Sequence, residues 1–220
     1  MTERRCVARL FASAVHELRN ILAVIRESTG LGIDLLDMEQ KNAENSHQAR
    51  LHTVLEDSQK AVRQGAALSD AMDYLAYASD IETNGPCDIT RVCHDFCLLY
   101  AREARSSKIT LLTDDGEDPV WAQFSPVLLF RALLDVVDLC TSVGGQVSLK
   151  FSGERRNKHE GVKIEVVAGT NRELVVSALA SCPRFEGPRI GWMAKLMPWT
   201  SQDPCFFLTI SEAEAQTENH

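Results

Sequence analysis

Between residues 16 and 20 the chain reads His16-Glu17-Leu18-Arg19-Asn20. On a helix, residues three and four apart are neighbours, so His16 meets Arg19 and Asn20, and Glu17 meets Asn20. One turn thus presents an imidazole, a carboxylate, a guanidinium and a carboxamide, with Leu18 alone pointing inward. An imidazole of unperturbed pKa about 6.5 is substantially neutral near pH 7, which leaves one ring nitrogen free to attack phosphorus. The product of that attack is a phosphohistidine. Phosphoryl transfer depends mainly on in-line positioning and charge compensation, so a histidine on a rigid support needs little else where a partner brings Mg²⁺. In such chemistry Glu17 accepts the hydrogen bond of the other ring nitrogen or meets a cation on the partner. Arg19 offsets phosphate charge, and Asn20 bonds a phosphoryl oxygen or holds a water. A single histidine on a helix is more often a solvated residue beside a seam, so the assignment depends on the pattern around it.

That pattern is a pair of long helices. Apolar or small residues recur at alternating spacings of four and three through Phe11, Val15, Leu18, Leu22, Ile25, Thr29, Gly32 and Leu36, a heptad seam. The polar run Glu39 to His47 reads as a turn. A second seam follows through Leu51, Val54, Ser58, Ala61, Gly65, Leu68, Met72 and Leu75, widened by Leu55 and Val62. Two such helices make an antiparallel hairpin over residues 1–82. Its apolar face has no second hairpin in the chain to cover it, so self-association into a dimeric four-helix bundle is expected. The alternative is packing on the C-terminal part as a monomer.

After the turn-rich break Glu82-Thr-Asn-Gly-Pro86 the pattern becomes mixed. Helices are predicted at Ile89–Ala104, Pro126–Thr141, Arg172–Ala180 and Ile190–Met197. Strands are predicted at Lys108–Leu112, Val120–Phe124, Gln146–Ser152, Val162–Ala168 and Cys205–Ile210, with a polar loop from Gly153 to Gly161. The expected class is α+β, with residues 87–211 forming an α/β sandwich whose helices lie on one face of a mixed sheet. Residues 212–220 read as a polar tail.

Composition excludes several function classes. With 45% hydrophobic and 25% charged residues the chain resembles ordinary soluble protein, and a net charge of −8 argues against a nucleic-acid partner. The longest apolar stretches fall far short of the roughly 20 residues of a membrane span, and the N-terminus has no secretory pattern, so a cytoplasmic location without membrane contact is expected. Seven cysteines without a Cys-x-x-Cys pair read as reduced, buried thiols. Cys93, His94 and Cys97 share part of a helix, but with no second cluster in sequence they read as core rather than metal ligands.

The segment Phe11-Ala-Ser-Ala-Val-His16-Glu-Leu-Arg-Asn20-Ile-Leu-Ala-Val-Ile25 resembles the phosphoacceptor box of histidine kinases, His-Glu-Leu/Ile-Arg/Lys-Asn/Thr-Pro-Leu. The resemblance extends in architecture over the hairpin and implies that His16 is the phosphorylated residue. Ile21 replaces the family's proline, which removes a source of helix bending. Residues 87–211 resemble weakly, in order, a degenerate version of the kinases' ATP-binding domain. Asp135 and Leu139 stand where those enzymes carry two asparagines, Ala168 stands for the adenine-recognising aspartate, and Gly187 to Gly191 is a short remnant of a glycine-rich box. Asp135 and Asp138 read as an exposed or capping helix face rather than a metal site.

A polyphosphate needs a cation and backbone donors, and neither is recognisable here. ATP-dependent autophosphorylation and a cofactor of the chain's own are therefore not expected. A kinase-like hairpin with such a second domain resembles the dimeric histidine phosphotransferases of bacterial phosphorelays. The resemblance implies a homodimer that passes phosphate between receiver-domain aspartates through His16, with Mg²⁺ on the receiver. Its partners are response-regulator receiver domains or a hybrid histidine kinase. Two rival readings use the same surface. Glu17-x-x-Asn20 also fits the pattern by which receiver phosphatases place a carboxamide against the attacking water, and a pseudokinase adaptor would act by occupancy alone.

Overall fold

A computed structural model describes residues 3–41, 46–80, 86–114, 118–156, 159–181, 184–186, 192–198 and 205–212. Helix α1 runs over Glu3–Lys41 and α2 over Ser46–Asp80, so helix occupies both ends of the expected 39–47 turn. The two helices pair lengthwise. Where they meet, Gly65 faces Ile21, and a Cβ there would lie 3.4 Å from Ile21 Cγ2, in ordinary van der Waals contact. Ile21, at the kinase proline position, is buried within the unbroken helix.

The second half begins with β1 (Pro86–Asp88) and helix α3 (Ile89–Ser106), whose N-terminus is capped by the Asp88 carboxylate accepting from the Arg91 N–H. Strand β2 (Ile109–Thr113), β3 (Trp121–Gln123) and helix α4 (Pro126–Val143) follow, α4 with proline in its first turn. Strands β4 (Val147–Arg156) and β5 (His159–Gly169), helix α5 (Arg172–Ser181), β6 (Arg184–Glu186), β7 (Trp192–Pro198) and β8 (Cys205–Glu212) complete the described chain. A six-stranded mixed sheet has the order β2-β4-β5-β8-β7-β6, parallel only between β2 and β4, while β1 and β3 form a separate antiparallel pair. The fold is α+β, and no described helix is long and apolar enough to cross a membrane.

Three expectations are corrected. Within the expected 190–197 helix, the described residues 192–197 are strand: β7 pairs antiparallel with β8 from Trp192 to Pro198 and with β6 on its other edge. Its apolar residues satisfy helical and strand patterns alike, and pairing partners decide between them. Within the expected 153–161 loop, the described residues 153–156 and 159–161 are strand, because β4 and β5 stay in register out to Arg156 and His159. Polar residues there pair across strands, as in the Arg155–Glu160 ion pair at 3.1 Å. Finally, β8 continues past the expected Ile210 end through Glu212, the first residue of the expected tail.

One core joins both halves. Cys6, Leu10, Ala14, Leu68, Ala71 and Leu75 of the hairpin belong to the same buried cluster as residues of α3, α4 and the sheet. The hairpin thus packs on the C-terminal part while one of its faces stays open. Within this core Phe96 and Phe151 meet edge to face, ring centroids 5.8 Å apart and planes at 89°. Both are fully buried. Phe151→Ala is expected to cost about 3–5 kcal/mol, read as a lowered urea midpoint with an unchanged m-value.

Candidate functional site

Helix α1 carries the pentad at its middle, just beyond the part anchored on α3 and α4. His16, Arg19 and Asn20 are exposed, and Leu18 packs against the core as expected. Glu17 also turns inward, which corrects the reading of Leu18 as the only inward residue. Its side chain is 28% exposed and meets Arg105 Nη2 at 3.4 Å through Oε1. The other oxygen accepts a long hydrogen bond, 3.5 Å, from Asn20 Nδ2. The structure therefore brings Glu17, Asn20 and Arg105 together, with His16 and Arg19 presented to solvent on the same stretch of helix.

The reason Glu17 turns to α3 lies further down the helix. Arg9, Ser13 and Glu17 are four residues apart and share one flank of α1. Arg9 binds Asp138 of α4 through two parallel contacts, 2.6 and 2.9 Å, and also donates to the Tyr100 hydroxyl of α3. Ser13 between them is small and buried, which permits close approach of the helices. The Asp138 carboxylate pushes the Arg9 pKa up, and burial pushes that of Tyr100 up to about 12. Arg105, on the last turn of α3, sits where a cation also favours the helix dipole. Sequence offered that helix-end role as its only signal, because nothing local reveals that an arginine 88 positions away reaches Glu17.

Asp135 and Asp138 are corrected as well. They are neither free surface nor caps: Asp138 binds Arg9, and Asp135 lies 3.6 Å from Arg131, with burial raising its pKa. Leu139 packs partly buried against the core. Ala168 is exposed on β5, and Asn171 donates to the Gly144 carbonyl at 3.0 Å. The Gly187 to Gly191 remnant lies outside the described residues.

Beside Glu17 a groove of about 380 Å³ opens between the hairpin and the second half. Ile21 and Leu68 form its hairpin wall, Cys97 and Leu98 its α3 wall, and Glu17 and Arg105 stand at its edge. Its apolar walls and charged edge suit a protein partner better than a polyphosphate.

The described cysteines are buried, and Cys182 lies outside the described residues. Burial pushes the thiols of Cys6, Cys87, Cys97 and Cys140 up to about 12 from an ordinary value of 9.0. A thiol whose folded pKa is raised keeps its full contribution to stability below pH 9. That contribution falls as the unfolded chain ionises between about 9 and 12. The expected result is negligible labelling of these four thiols by a thiolate-selective reagent at pH 8 until urea unfolds the protein, together with a falling urea midpoint above pH 9.

No family model matches the sequence, and no curated protein matches it. Among solved structures, histidine kinase AdeS of Acinetobacter baumannii is similar at 15% identity with a TM-score of 0.36, over 90% of this chain and 97% of that one. The histidine kinase ThkA, solved in complex with response regulator protein TrrA, gives 13% and 0.37, over 92% of this chain and 60% of that one. Full-length ShkA in complex with AMPPNP gives 15% and 0.34, over 98% of this chain and 47% of that one. This chain thus spans less than two thirds of the last two.

Proposed function

We propose that the chain is a cytoplasmic histidine phosphotransfer protein of a two-component phosphorelay, passing phosphoryl groups between receiver-domain aspartates through His16. The observation that carries this reading is an exposed His16 within His-Glu-Leu-Arg-Asn, on a long hairpin helix, beside a groove edged by the second half of the chain. In the transfer a ring-nitrogen lone pair attacks phosphorus. An N–P bond forms as the P–O bond to the receiver aspartate breaks, and the aspartate leaves with the electron pair as a carboxylate. The receiver's Mg²⁺ offsets the charge on the departing carboxylate. Arg19 compensates the phosphoryl group from the α1 side, and the reverse sequence hands it to the next receiver.

The rest of the chain acts as a grip rather than a kinase. Asp138 of α4 is committed to Arg9 and Asp135 lies against Arg131, which leaves the α4 carboxylates poorly placed to hold a metal–nucleotide. A receiver seated over His16 would cover both halves across the groove, and either a free response regulator or the receiver of a hybrid kinase fits that arrangement.

The homodimer is part of the proposal. Along α1, Phe11, Leu18, Ile25 and Gly32 turn toward the interior, while Val15, Leu22 and Leu36 are exposed. On α2 Leu55 and Val62 are likewise open, each 55% exposed. In antiparallel helices, residues rotated in the same sense away from the seam come to one face, so both sets form a single apolar surface. A second copy closing on it gives a four-helix bundle.

The test is to mix the protein with a phosphorylated receiver, without ATP, and look for acid-labile phosphate on His16. Its appearance as the receiver loses label supports transfer. Release of inorganic phosphate with no labelled histidine would favour the phosphatase reading.

A further inference from the structure

We propose that Arg105 is a positioning residue of the His16 site, a cation supplied by the second half of the chain that holds Glu17 and, through it, Asn20. The inference rests on the phosphotransfer reading. A surface glutamate samples many rotamers, yet both oxygens of Glu17 are engaged by groups from different helices, Arg105 at 3.4 Å and Asn20 at 3.5 Å. A carboxamide has unlike ends. With its nitrogen turned to Glu17, Asn20 offers its oxygen as the acceptor for a water or a donor on the incoming receiver.

The backbone that carries Arg105 is itself held in place. Arg105 lies five residues beyond Tyr100, which receives a hydrogen bond from Arg9, and the last turn of α3 is closed by Ser107 N–H bonds to the Glu103 and Ala104 carbonyls. Arg9 and Glu17 stand two turns apart on α1, so two contacts to α3 at that spacing fix the rotation of α1 about its own axis. Arg105 also neutralises Glu17. Without it, a carboxylate one position from His16 repels the arriving phosphoryl group.

The experiment compares wild type, Arg105→Ala, Arg105→Lys, Glu17→Gln and the Arg105→Ala/Glu17→Gln double variant in single-turnover transfer from a saturating phosphorylated receiver. Arg105→Ala is expected to slow transfer about tenfold, Arg105→Lys to restore most of it, and the double variant to be no slower than the worse single one. The Asn20 side-chain amide resonance of the free protein is expected to move in Arg105→Ala. Wild-type rates in Arg105→Ala, multiplicative losses in the double variant, or an unmoved Asn20 resonance would each overturn the role of Arg105 while leaving transfer intact. A wild-type protein that takes no phosphate from the receiver would instead overturn the phosphotransfer reading, and this inference with it.

Discussion

His16→Gln yields no acid-labile phosphate when incubated with a phosphorylated receiver, and the receiver keeps its label for as long as it does alone. The expectation follows from the chemistry. A glutamine preserves polarity and reach but has no basic nitrogen lone pair, so the N–P bond cannot form. His16 is exposed and outside the core cluster, so the substitution leaves the fold untouched, and an unchanged urea midpoint is the control. Asn20→Ala in the same assay loses less than about tenfold, because the carboxamide assists and does not carry the phosphoryl group. The opposite ranking, with dephosphorylation surviving in His16→Gln and vanishing in Asn20→Ala, would assign the site to hydrolysis of the receiver's aspartyl phosphate. The readout is phosphate stability in acid and base together with the rate at which the receiver loses label.

The second large effect concerns assembly. Leu22→Glu combined with Val62→Glu is expected to convert a dimer into a monomer of 24.4 kDa, measured by light scattering at tens of micromolar. Leu22 is 56% exposed and Val62 55%, each an apolar side chain left in water by a lone chain. Burying such a side chain contributes about 1.5–3 kcal/mol, and placing carboxylates in the closed seam replaces that gain with a desolvation cost. The dissociation constant of the dimer should therefore rise by more than about two decades. A wild-type protein that is monomeric at these concentrations, or a double variant that remains dimeric, would remove the four-helix bundle from the proposal.

How much of this was legible in the sequence depended on how local the physics is. The hairpin was readable because its seven-residue repeat is written along α1 and α2, and α3, α4 and α5 because their apolar faces and turns are local features. Residues 192–198 were misread because their fate is set by the edges of β8 and β6, which a window of neighbours does not contain. The 153–161 segment reads as a polar loop in sequence because polar residues suit a loop and a solvated strand face alike, and cross-strand pairing decides between them. At the site, the pentad was visible as an interruption of an apolar pattern. The inward turn of Glu17, the contact with Arg105 and the engagement of Asp138 by Arg9 depend on tertiary packing between helices far apart in the chain.

The attachment of Arg9 to Asp138 and Tyr100 bears on how the protein is able to work. A sensor kinase must swing its nucleotide-carrying half toward its histidine and away again, which requires a hinge at the base of the bundle. Here Arg9 ties that base to α4 and α3, and a core shared by the hairpin and the second half lies beneath it, an arrangement that opposes such a swing. On the proposed phosphotransfer reading the imidazole would be a fixed berth, and the mobility needed for exchange would belong to the proteins that arrive at it and depart.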